Sequence, residues 1–175
     1  MSFFHLKKIA FLLVAGFFLQ AVQAQSIEIG KDKEGHKMLK GLVTKQDLAG
    51  DTAFGWFTKN AADYKPYAAA LQNIKKNKDS VDYIVFGGTW CHDTHFVLPR
   101  FFSLLDSAGV APSHITFFAV DESKKANNNL PQAFNITNVP TIIVLKRGKE
   151  VGRVIEYGKQ GMFDKELGEI VKQEF

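Results

Sequence analysis

Ile84-Val-Phe-Gly-Gly-Thr-Trp-Cys-His-Asp-Thr-His-Phe-Val-Leu-Pro-Arg-Phe-Phe102 opens as an apolar run, crosses two glycines and delivers Cys91, the one cysteine of the 175-residue chain. Apolar residues then recur at Phe96, Val97, Phe101, Leu104 and Leu105, the spacing of an amphipathic helix. The stretch predicts a strand, a tight turn and a helix, with Cys91 at the helix start. A sulfur placed there faces unsatisfied backbone N–H groups and the positive end of the helix dipole, which favour thiolate over thiol. A free cysteine is most often a small buried hydrophobe. The Gly-Gly-Thr-Trp lead-in and the helix start point instead to a solvent-reachable thiol.

Working outward, Val81–Phe86 is the strand that feeds this turn. Before it, Pro66 suits the first turn of a helix, and Tyr67, Ala70, Leu71 and Ile74 repeat at helical spacing until Asn77-Lys78-Asp79. Downstream, Ser107-Ala-Gly109 ends the central helix and Pro112 prevents its resumption. Ile115–Val120 reads as an interior strand, and a short helix is expected around Leu130–Phe134. Thr141–Leu145 and Glu150–Tyr157 form a hairpin across Arg147-Gly148, and Met162, Leu167, Ile170 and Val171 give a last helix its inner face. Alternating strands and helices, ending in a hairpin and a helix, predict an α/β fold with a central mixed sheet covered on both faces.

The beginning of the chain reads differently. Lys7 and Lys8 precede the apolar run Ile9–Leu19, and Val22-Gln23-Ala24 offers small residues for cleavage before Gln25. Residues 1–24 are expected to be a signal peptide, because the run is shorter than the roughly 20 residues of a bilayer span. The mature chain is then exported, to a bacterial periplasm or beyond, with no stable membrane anchor. Removing 1–24 leaves twenty basic against eighteen acidic residues, too balanced to argue for nucleic acid. A single cysteine excludes an intrachain disulfide, although export usually favours disulfides. Residues 25–63 are expected to be a lead-in and extension: Ser26–Lys40 is polar with little periodicity, and Thr52–Phe57 is an apolar run read as a first strand, interrupted by Gly55.

Several pieces resemble the thioredoxin superfamily. Trp90-Cys91-His92-Asp93-Thr94 is similar to its Trp-Cys-x-x-Cys motif, with Thr94 where the second cysteine stands. Pro99 matches the proline that kinks the active-site helix, Asn138-Val139-Pro140-Thr141 resembles the cis-proline loop, and Lys146–Glu150 resembles the hairpin after the next strand. The resemblance covers Tyr64 to Phe175 and implies a thioredoxin-like domain over 64–175. It also implies that Pro140 lies beside Cys91 and that Val139 pairs with a substrate strand by β-addition. One departure is Val85, which stands where these proteins usually carry a buried acid.

The chemistry expected of such a site is monothiol. Thr94, three residues beyond Cys91, shares its helical face. Its hydroxyl can donate to the thiolate but cannot attack a disulfide, so release of a mixed disulfide needs an external thiol. His95 could stabilise the thiolate or act as a base, whereas His92 points outward and suits partner recognition. Asp93 complements the helix N-terminus, although its charge opposes ionisation of a nearby thiol. Trp90, Cys91, Thr94 and His95 are therefore the candidate catalytic residues, and His92, Asp93, Val139 and Pro140 the candidate substrate-binding ones. Cys91, His92 and His95 are too few for a dependable metal site, and no metal or cofactor is expected. The expected partners are protein or small-molecule thiols and disulfides. The competing reading is a catalytically inactive binding or chaperone module using the groove beside Pro140.

Overall fold

The computed structural model describes residues 27–173. Six strands form one sheet: β1 (Glu28–Lys31), β2 (Lys37–Val43), β3 (Val81–Gly87), β4 (Ile115–Ala119), β5 (Thr141–Lys146) and β6 (Lys149–Ile155), in the order β1-β2-β4-β3-β5-β6. Among the described residues only β3 and β4 pair in parallel, so the sheet is mixed as the sequence predicts. Parallel neighbours need a crossover, which is supplied by the central helix between them. The helices are α1 (Lys45–Ala49), α2 (Trp56–Ala61), α3 (Ala68–Asn77), α4 (His92–Ala108), α5 (Leu130–Ala133) and α6 (Phe163–Lys172).

Strand alternation divides the core. Val81, Tyr83 and Val85 of β3 join a large cluster with Leu48 of α1, Phe57 of α2, Ile74 of α3, Val97, Phe101 and Leu104 of α4, and Leu167 and Val171 of α6. The opposite face of β3, at Ile84 and Phe86, packs with Phe118, Ile136 and Val139, against which Leu130 and Phe134 of the α5 region lie. Trp90 and Cys91 belong to this second cluster, so the Cys91 turn sits where the two layers meet.

Local chemistry explains the elements around the site. α4 ends where Gly109 adopts φ 73°, its N–H reaching the carbonyls of Leu105 and Asp106. The β5–β6 turn places both Arg147 (φ 50°) and Gly148 (φ 73°) in the left-handed region, which two-residue hairpins favour.

Five expectations need correction. From residue 27 onward the expected lead-in over 26–40 is ordered structure: it contains β1 and the first part of β2, and β2 continues the sheet by pairing Gly41, Leu42 and Val43 with β4. Thr52–Phe57 is not a strand, since Asp51 caps a 3-10 turn over Thr52–Phe54 through the Ala53 N–H and α2 follows at Trp56. Alternating exposure cannot satisfy this run, because Phe54 and Phe57 are three apart and both buried, which suits a helical path. Pro66 stands outside α3, which begins at Ala68, and Tyr67 is exposed. Phe96 faces outward, covered by Arg100 and Tyr157 rather than by the core. Met162 precedes α6 and is exposed, and Phe163 takes the inner position. The signal-peptide reading of 1–24 lies outside the described residues.

Candidate functional site

Cys91 is the N-cap residue of α4, in extended conformation at φ −92° and ψ 125°. Its N–H donates to Gly88 O and its C=O accepts from His95 N, both at 3.0 Å, closing the turn between β3 and the helix. The side chain is half-buried, and the thiol donates to Val139 O at 3.3 Å. Two distant segments thereby converge, the helix start and the Val139–Pro140 loop, whose peptide bond is cis. That loop is anchored on both sides. Thr141 Oγ1 donates to Asn138 O at 2.7 Å, Asn138 Nδ2 donates to Glu156 Oε1 at 2.8 Å, and Glu156 N donates to Pro140 O at 2.7 Å. Val139 itself is buried, and a chain pairing with its carbonyl would compete with the Cys91 thiol.

The neighbours of Cys91 each have a defined task. Trp90 donates Nε1–H to Val120 O at 2.9 Å, and its indole lies against the Gly88 backbone so closely that a Cβ there would be 2.5 Å from the ring. Thr94 is fully buried, and its hydroxyl oxygen accepts the Gly88 N–H at 3.2 Å. The threonine thus secures the turn from within, at the position where the Trp-Cys-x-x-Cys motif carries its second cysteine. Asp93 in the first turn of α4 accepts the Tyr157 hydroxyl at 2.9 Å. His92 is exposed, its ring 5.7 Å from that of His95.

His95 turns away from the role of a positively charged neighbour. Its Nε2 lies 2.7 Å from Thr89 O, and because a carbonyl only accepts, that nitrogen carries the proton. The ring stacks on Trp56 at a centroid distance of 4.2 Å and an interplanar angle of 22°. Burial lowers the pKa of the imidazole below its ordinary value; the Thr89 bond opposes this, and the His92 charge adds to it. Near neutral pH, His95 is accordingly neutral. Among the described residues no group of three or more His, Cys, Asp or Glu side chains could hold a metal ion.

Trp56, Asn60, Thr89 and Tyr157 touch the site but do not stand out in the sequence. Thr89 lay inside the decisive stretch, where a hydroxyl beside a glycine carries no signal of its own. Trp56 and Asn60 are spaced i, i+4, which marks one face of a helix only once that segment is read as helical.

A family model described as Thioredoxin matches residues 63–168. The chain is 31% identical over 81 residues to thioredoxin H2-2 of Oryza sativa subsp. japonica, covering 46% of this chain and 56% of that protein. To thioredoxin H2 of Arabidopsis thaliana it is 29% identical over 86 residues, covering 47% and 58%. The chain therefore spans just over half the length of these curated relatives. Among solved structures it is similar to thioredoxin O2 from Arabidopsis thaliana in the oxidized state, with 20% identity, 60% and 83% coverage and a TM-score of 0.38. It is likewise similar to the thioredoxin NaTrxh from Nicotiana alata, with 21% identity, 65% and 99% coverage and a TM-score of 0.37. The matched region includes the strand, the Cys91 turn, α4 and the Val139–Pro140 loop, and with more than half of its length matched, the chain belongs to the thioredoxin family.

Proposed function

We propose that Cys91 carries out monothiol thiol–disulfide exchange on protein or small-molecule disulfides in an exported setting. The observation that carries this reading is the placement of the sole cysteine, half-buried at the start of α4 with its sulfur against the Val139 carbonyl. In the forward step Cys91 loses its proton, and the thiolate attacks one sulfur of a substrate disulfide. The substrate S–S bond breaks, a Cys91–substrate S–S bond forms, and the other substrate sulfur leaves as a thiolate that takes up a proton. With Thr94 where a resolving thiol would be, the mixed disulfide is opened by the thiolate of an external thiol, which attacks the substrate sulfur: the Cys91–substrate S–S bond breaks, an S–S bond between the external thiol and the substrate forms, and Cys91 leaves as a thiolate. Backbone groups of the Val139 loop position an extended substrate beside the sulfur. Export is part of the proposal and rests on the lysine pair, apolar run and Ala24 site of residues 1–24.

Intact mass after incubation with oxidised glutathione tests the chemistry. The expected product is one glutathionyl adduct on Cys91, stable until a thiol is added and missing in Cys91→Ser. No adduct on folded protein, under conditions where the unfolded chain reacts, would overturn exchange and favour the binding-module reading. N-terminal sequencing of protein recovered from its native envelope tests the export, and a chain found in the cytoplasm beginning at Met1 would refute it.

A further inference from the structure

Two hydrogen bonds and one ring stack tie the Cys91 turn to residues that precede the family-matched region, which begins at residue 63. Pro99 has no N–H, so the carbonyl of His95, four residues earlier, lacks its helical partner. Asn60 Nδ2 on α2 donates to that carbonyl at 2.9 Å and fills the vacancy. Trp56, one turn earlier on the same helix, covers the His95 ring. The ring N–H then goes to Thr89 O, and the Thr89 hydroxyl accepts the N–H of Leu39 on β2 in a buried bond of 3.0 Å. His95 N closes the circuit on Cys91 O.

We propose that β2 and α2 together form a positioning clamp for the reactive turn, with β2 fixing Thr89 through Leu39 and α2 fixing His95 through Trp56 and Asn60. The inference rests on the exchange chemistry proposed above and adds to it a role for the segment before residue 63. A segment that only covered apolar surface would need no polar contact with the turn. Here two of its polar groups satisfy atoms that the turn and the proline leave open, one on each side of Cys91. Trp56 and Asn60 are positioning residues: they act through His95, whose ring is held neutral in one tautomer. The titratable groups that influence that ring are His92 on α4 and, from the β1–β2 turn, Asp32.

The test uses the full chain with Trp56→Ala, Trp56→Phe and Asn60→Ala. Three quantities are measured: the thermal midpoint, the NMR titration midpoint of the His95 ring, and the second-order rate of adduct formation with oxidised glutathione. Trp56→Ala should raise the His95 midpoint toward that of a free imidazole and slow adduct formation on the order of 10-fold, at a temperature where the variant is fully folded. Trp56→Phe keeps an aromatic face and should stay near wild type in both. A folded Trp56→Ala with an unchanged His95 midpoint and an unchanged rate overturns the clamp. Should Trp56→Ala fail to fold, Asn60→Ala decides by rate: slowing supports the clamp and a wild-type rate overturns it. Should wild type form no adduct at all, exchange fails separately, and the His95 midpoint in Trp56→Ala alone decides: raised supports the clamp, unchanged overturns it.

Discussion

Gly88→Ala should destabilise this protein through one side chain. Gly88 has a backbone conformation open to any residue, so alanine brings no φ strain. A Cβ at this position would lie 2.5 Å from Cε2 and Nε1 of Trp90 and 2.9 Å from Cζ2. Ordinary contacts between such atoms are about 3.5 Å, so the rigid indole must withdraw by about 1 Å. Its Nε1–H bond to Val120 O, now 2.9 Å, cannot survive that movement. Losing the bond costs about 1 kcal/mol and the overpacking about 1–3 kcal/mol, giving roughly 2–4 kcal/mol in all. For a chain of this size that corresponds to a fall of roughly 6–12 °C in melting temperature. Urea unfolding followed by far-UV circular dichroism would measure it, on wild type, Gly88→Ala, Trp90→Ala and the double variant. In the Trp90→Ala background the added methyl meets no ring, and Gly88→Ala should be neutral or stabilising by about 0.5 kcal/mol through the unfolded chain. An equal cost in both backgrounds, or a cost below about 0.5 kcal/mol in the first, would refute the close packing of Trp90 on Gly88. Because Gly88 O also receives the Cys91 N–H, the same variant should slow Cys91 exchange.

Thr94→Cys should add a resolving thiol on the Cys91 face of α4, and peptide mapping after mild oxidation should find a Cys91 disulfide to it; in the reduced state the variant should lose about 1–2 kcal/mol, since sulfur is a poor acceptor for the Gly88 N–H. His95 should contribute an acid-sensitive part of stability. Burial lowers its folded pKa, so the contribution is complete above the unfolded value near pH 6.5 and is lost as pH falls through the lowered folded value. His95→Gln should therefore flatten the loss of stability on that limb, as read from melting temperature against pH, and an unchanged slope would contradict the burial argument. Gly168→Ala should cost about 2 kcal/mol in urea unfolding, although alanine favours a helix by about 1 kcal/mol, because its Cβ would lie 2.5 Å from Ala70 Cα where α6 crosses α3. A stabilised variant would mean that the two helices stand further apart.

The sequence by itself determined what local rules can carry. The apolar run ending at Gly87-Gly88, the helical spacing after Cys91 and the left-handed cap at Gly109 together specify a strand, turn and helix, and the structure has them at Val81–Gly87 and His92–Ala108. Gly148 marks the hairpin because glycine accepts a positive φ without steric cost, whereas the left-handed conformation of Arg147 before it is a finding of the structure. The convergence of Cys91 with Val139 followed from motif resemblance rather than from periodicity, because the contact spans 48 residues. What only the tertiary structure decided lies mostly before residue 63. β1 is a four-residue edge strand with largely exposed side chains, so no alternation announces it. The apolar run Thr52–Phe57 is compatible with strand or helix, and burial of Phe54 in the core and of Phe57 against Phe102 of α4 selects the helical path. Phe96 matches the inward spacing yet lies outside, where Arg100 one turn further along α4 and Tyr157 from a distant segment flank it, the latter a neighbour that no helical wheel contains. The contacts of Trp56 and Asn60 with His95 depend on how α2 docks on α4, and the missing amide of Pro99 acquires a partner only once that docking brings Asn60 to the His95 carbonyl.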